Sequence, residues 1–339
     1  MQQRLVHNLP KGQEIRNALK KKPGNLMNNW RNLIKVVLVC AILLPLTDAL
    51  AQGPPINTDT PIMLGVSGGG VRSFGKITHK ATLLRDGKEI ADTLDRSVTS
   101  WVTPVAIPYN LYSDKLQIGL ILPYVNIDLN KTTGDVSSSG IGDIKLSAKY
   151  LVYQLDQKNK TIRVASKAGV KLPTGDEDIQ PALGTGSTDY FFSTVAAWIE
   201  KRVGVYIEGI YNVNTSRDSL DFGNSFSYNL ALGYRLLPVV YETYPSPQIN
   251  GYLELNGTTV GKSEVNRAKD DNSGGITLFL SPGLQYVGGR GWLVETLFQY
   301  PIINEPNGTQ LATDWTISFG TRVLVFKNRR NLLKAISNS

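Results

Sequence analysis

Gly65-Val66-Ser67-Gly68-Gly69 has the spacing of a nucleophile elbow, and Gly68-Gly69-Gly70-Val71-Arg72 has the letters of an oxyanion loop. An elbow works only on a strand-to-helix turn with a histidine partner. No helical period follows these glycines, and His79 is the one imidazole beyond the leader discussed below. Catalysis is therefore not expected. Metal and cofactor chemistry are not expected either, because no His/Cys cluster exists and Asp/Asn-rich stretches such as Lys269–Asn272 lack calcium-loop spacing. The chemistry the chain does offer is electrostatic. Lys145 and Lys149, and Arg163, Lys167 and Lys171, recur at intervals of four residues, with Asp143 the one acid on the same register. Glu208, Glu254 and Glu295 stand singly in later segments. At period two, each set falls on one face of its strand.

The elements that carry these residues show alternation of apolar and polar side chains, not a helical repeat. Val203, Val205, Ile207, Gly209 and Tyr211 interleave with Gly204, Tyr206, Glu208 and Ile210, and Phe226–Leu236 reads the same way. Twelve such segments are expected at 76–86, 97–107, 115–128, 141–154, 161–172, 188–200, 203–214, 224–236, 248–259, 274–286, 291–301 and 313–326. Most have the length of a tilted membrane strand rather than a sandwich strand. Short connections (155–160, 201–202, 287–290, with 108–114 and 237–247 longer) alternate with polar ones at 87–96, 129–140, 173–187, 215–223, 260–273 and 302–312. An even strand count with turns at one end and loops at the other predicts an all-β fold: a transmembrane antiparallel up-and-down β-barrel of about 12 strands, of outer-membrane type. Tyr124, Tyr150, Tyr190, Trp198, Tyr211, Tyr286, Trp292, Tyr300 and Trp315 are placed to form interfacial girdles. A soluble β-sandwich of an exported protein is the competing fold.

In the barrel reading, the lysines and Arg163 form a basic wall of the lumen. Glu208, Glu254 and Glu295 form an acidic wall across from it, and together they predict a charged constriction. Phe191, Phe279, Leu293 and Leu297 are inward apolar candidates, too few to define a hydrophobic path. The expected function is passage of a small-molecule solute. The alternative is a closed structural or surface-recognition barrel.

The ends of the chain carry addresses. Of the 36 Lys+Arg and 28 Asp+Glu, the first 51 residues hold eight and two, so the formal charge of +8 belongs mostly to them and no nucleic-acid partner is implied. Residues 1–51 read as a leader and signal peptide, with an apolar core at Val36–Leu46, a cleavage site at Ala49-Leu50-Ala51 and Met27 as a candidate true start. Residues 52–75, rich in Gly and Pro, read as a segment that enters or covers the periplasmic mouth, ahead of a barrel at 76–326. Ser318–Phe326 resembles a terminal-strand assembly signal, with Gly320, Val323, Val325 and Phe326 as its residues, which makes the barrel-assembly machinery and outer-membrane lipids the expected partners. Residues 327–339 form a basic periplasmic tail.

Several stretches carry a family resemblance: GVSGGGV (Gly65–Val71), GIGDIKLSAKYLVY (Gly140–Tyr153), AGVKLPTGD (Ala168–Asp176), LGTGSTDY (Leu183–Tyr190) and FSYNLALGYRL (Phe226–Leu236). On these the chain resembles the outer-membrane transporter family of the meta-pathway phenol-degradation type. The resemblance implies an outer-membrane barrel that passes aromatic or other hydrophobic compounds.

Overall fold

In the computed structural model, the described residues are 53–240, 246–288 and 291–326. The leader and the basic tail lie outside them. Twelve long strands follow one another: β1 (Gly68–Arg85), β2 (Ser97–Asn110), β3 (Leu116–Asn130), β4 (Ile144–Gln157), β5 (Lys160–Leu172), β6 (Asp189–Glu200), β7 (Val203–Val213), β8 (Ser225–Leu237), β9 (Gln248–Val260), β10 (Gly275–Gly288), β11 (Trp292–Pro306) and β12 (Thr309–Phe326). Each pairs antiparallel with the next. β12 then pairs with β1, from Gly68↔Phe326 to Arg85↔Thr309, and this closes the ring. Closure leaves no sheet edge, the condition that hydrocarbon imposes on a strand-built span.

The polarity of the wall is inverted relative to a soluble protein. Phe192, Ile207, Leu284 and Tyr300 are each more than half exposed, whereas Glu254, Asn250 and Ser281 have no exposed surface at all. Large apolar side chains outside and polar ones inside are what a lipid-facing barrel requires. Tyr124, Tyr150, Tyr190, Trp198, Tyr211, Tyr286 and Tyr300 are exposed on the outer face. His79 also lies on the outer register. It stacks on Trp315 at 5.4 Å and its Nδ1 lies 3.0 Å from Thr99 Oγ1.

Two boundaries differ from the sequence reading. β1 begins at Gly68 rather than 76, because Gly68-Gly69-Gly70 has no side chains with which to show alternation. Ser67 therefore turns into a strand, with Gly68 N donating to Gly65 O at 2.7 Å, and the elbow motif has no helix behind it. The expected loop at 302–312 is instead a hairpin, since β11 runs to Pro306 and β12 starts at Thr309. Asn307-Gly308 makes the turn with Gly308 at φ 56°, a conformation a side chain would strain. The other connections keep the expected asymmetry. Two loops also join each other, as Ser216–Arg217 and Leu220–Asp221 pair on with Glu264–Val265 and Ala268–Lys269 in a small separate sheet.

Candidate functional site

Residues 53–62 run inside the barrel, entering from the turn end where β1 begins. Their contacts are to inward side chains from around the whole ring. Asp59 bridges the two lysines that face each other on β4 and β5, with Lys149 Nζ on one carboxylate oxygen at 2.7 Å and Lys167 Nζ on the other at 2.7 Å. Burial works to raise the Asp59 carboxyl. The two ammoniums outweigh it and hold the group well below the ordinary aspartate range. On the opposite wall, Glu254 of β9 accepts the backbone N–H groups of Ile56 (2.8 Å), Asn57 (3.1 Å) and Thr58 (2.8 Å) and the Thr58 hydroxyl (2.7 Å). Glu208 of β7 accepts Asp59 N at 3.0 Å and Asn229 Nδ2 at 3.0 Å.

The segment's carbonyls are met as well. Arg322 donates to Pro55 O at 2.6 Å, Gln285 to Pro54 O at 2.9 Å, Arg72 to Ile56 O and Tyr252 to Gly53 O. Ile56 packs with Tyr252 and Leu297 in a small buried cluster, and Met63 packs against Leu151, Ala165 and Val195. Gly283 on β10 makes the room: a Cβ there would lie 2.6 Å from Ile56 Cδ1. Backbone that finds no ladder partner, bent at 56–58, is thus satisfied by wall side chains, as buried backbone must be.

Of the eight expected wall residues, the structure gathers Lys149, Lys167, Glu208 and Glu254 around this segment. The other four go elsewhere. Glu295 of β11 is held by Arg72 (2.9 Å) and Arg322 (3.0 Å), which face each other across the β1–β12 closure. Arg163 pairs with Asp156 at 2.8 Å near the turn end. Lys171 joins Asp143 (3.1 Å) and Asp189 (2.5 Å) at the loop end. Lys145 is exposed and forms no ion pair among the described residues, with Asp143 and Asp189 within electrostatic reach. The two charged walls therefore do not face each other across an open gap, because the segment lies between them. Asp59, Arg72 and Arg322 escaped the sequence reading. Asp59 is the one charged residue between 52 and 66, and that solitude was its available signal.

The inward apolar candidates are also engaged. Leu297 packs on Ile56, and Phe191 lies over Gly169. Of the expected assembly-signal residues, Gly320 pairs with Phe74, Val323 with Val71, Val325 with Gly69 and Phe326 with Gly68.

The stretches GIGD, KLPTGD and LGTGS meet at the loop end. Pro123 of β3 has no N–H to offer β4, and opposite it the sheet breaks at Gly142-Asp143, where Gly142 N donates to Pro123 O at 2.9 Å. The break frees the Asp143 carboxylate to accept Gly175 N (3.1 Å) and Thr185 N (3.0 Å). Thr174 Oγ1 donates to Gly142 O at 2.9 Å and locks the loop from the other side. No group of metal-binding side chains occurs among the described residues.

Comparisons with known proteins agree with this architecture. The chain is similar to the crystal structure of an outer membrane channel from Pseudomonas putida F1, with a TM-score of 0.64 and 14% identity over 81% of this chain and 100% of that one. Looser likenesses are to the beta domain of the Bordetella autotransporter BrkA (TM-score 0.43, 11% identity, 76% of this chain and 99% of that one) and to a Pseudomonas aeruginosa FadL homologue (0.36, 6%, 76% and 90%). No curated protein matches the sequence. The fold is that of an outer-membrane β-barrel. A family model described as "Putative MetA-pathway of phenol degradation" matches residues 75–319, so that the chain belongs to this family.

Proposed function

We propose that the protein is an outer-membrane channel for small molecules whose lumen is held shut by its own residues 53–62. The observation that carries this reading is Asp59 between Lys149 and Lys167. The side chains projecting from the wall do not fill the middle of the barrel by themselves; a tethered strip of chain completes the filling. A strip anchored at one end can leave by the way it entered, opening a water-filled path lined by Lys149, Lys167, Glu208 and Glu254. Passage is passive and involves no covalent step. Twelve strands lie between the packed eight-stranded barrels and the sixteen-stranded porins, so a narrow bore is what removal of the strip leaves.

The same reading places residues 1–51 as the export leader, with Met27 as the start of a signal of ordinary length. It places β12 as the strand offered to the barrel-assembly machinery and residues 327–339 in the periplasm. The test is single-channel recording of the full chain and of a variant lacking 53–62, a deletion that stops short of β1. The deletion is expected to give stable conductance steps that the full chain lacks. Equal conductance from both would end the plug reading. Silence from both would favour the second reading, a closed barrel whose joined loops serve recognition.

A further inference from the structure

Two pairs of lysines stand directly opposite each other on β4 and β5, Lys145 with Lys171 and Lys149 with Lys167. The pairs are four residues apart, about 13 Å along the strand, and both point inward. Like charges in opposed positions destabilise a sheet unless an anion lies across them. The barrel contains a contrasting case at its closing seam. Arg72 and Arg322 are also directly opposed, and the carboxylate they share, Glu295, belongs to the neighbouring wall strand β11. For Lys149 and Lys167 the shared carboxylate comes from the removable strip. Above them, Lys171 pairs with two acids, Asp143 and Asp189, and Lys145 forms no ion pair among the described residues but lies within electrostatic reach of the same two. Lys76 of β1 projects into the same space, within electrostatic reach of Lys145, also without an acid partner among the described residues. Below the acid-rich loop connections, Lys76 and Lys145 therefore line the way down to a lysine pair occupied by one carboxylate.

We propose that Asp59 is a tethered stand-in for the carboxylate of the solute, so that this channel admits small organic anions and opens when one of them displaces Asp59 from Lys149 and Lys167. This rests on the channel reading above and names its substrate class. An incoming carboxylate is drawn past Lys76 and Lys145, exchanges with Asp59 at the lower pair, and leaves the strip attached only through Glu208, Glu254 and its carbonyl contacts. The strip carries no other charge, so nothing else in it competes for the lysines.

The test uses the full chain, the 53–62 deletion and Asp59→Asn in planar bilayers, with gluconate as the anion and sorbitol as its size-matched neutral control. Gluconate added on the loop side is expected to raise the open probability of the full chain on the order of tenfold over sorbitol, in keeping with charge focusing at a lined cleft. Asp59→Asn is expected to open without gluconate. The deletion variant is expected to show an anion-selective reversal potential in a KCl gradient. A conducting deletion variant without anion preference, or a full chain that answers gluconate and sorbitol alike, overturns this inference and leaves the channel reading standing. A silent deletion variant overturns both.

Discussion

The barrel holds two cation pairs of one design and gives them opposite fates. At the seam, Arg72 and Arg322 share Glu295, whose carboxylate is 1% exposed and sits on β11 beside them. In the mid-lumen, Lys149 and Lys167 share Asp59, whose carboxylate is 24% exposed and sits on a strip 90 and 108 residues away in sequence. The first arrangement cannot exchange its anion without breaking the wall. The second, on the proposed reading, exchanges it by moving a stretch of chain that belongs to no sheet. Residue type follows the same division. Arg322 grips both Glu295 oxygens and Arg72 sets two nitrogens on one of them, whereas each lysine meets Asp59 through a single ammonium, a point charge that any carboxylate satisfies.

The sharpest way to break this comparison is to remove each anion in turn. Glu295→Ala leaves two opposed guanidiniums unpaired at the seam. It is expected to cost about 3–5 kcal/mol, the usual result of breaking a buried pair from one side. The loss would be read as a lower unfolding temperature on heat-modifiability gels, and an unchanged midpoint would refute the clamp.

Acid is the gentler probe. The docked Asp59 carboxyl is depressed below its ordinary value. It contributes to docking fully above that value and loses the contribution only as pH falls through the docked one. The channel is therefore expected to stay shut on titration from neutrality to pH 4 and to loosen only in stronger acid. Opening between pH 6 and 5 would mean that a different group holds the strip.

The smallest effect is expected at Arg163. Its partner Asp156 is 38% exposed, so Arg163→Ala should change stability by under about 1 kcal/mol and leave channel closure untouched. A large change would place Arg163 in the constriction after all.

The strands were legible because alternation is local. A residue between lipid and lumen is chosen by which side it faces, and that choice repeats every second position whatever the rest of the ring does. Where side chains are missing or uniformly polar, the signal fails, as at Gly68-Gly69-Gly70 and around Asn307-Gly308. The hairpin at Asn307-Gly308 was nonetheless written in the pair itself, which favours a tight turn. The direction of Lys149, Lys167, Glu208 and Glu254 was legible for the same reason as the strands.

Their partners were not legible. Parity states that a lysine points inward and is silent on what meets it there. The sequence by itself determined the ring and its inverted polarity, since each follows from a residue and its near neighbours. Only the tertiary structure decided that Asp59 and the backbone beside it meet Lys149, Lys167, Glu208 and Glu254, and that Arg72 and Arg322 take Glu295. Those contacts join elements brought together by closure, and short-range pattern has no reach across a closed ring.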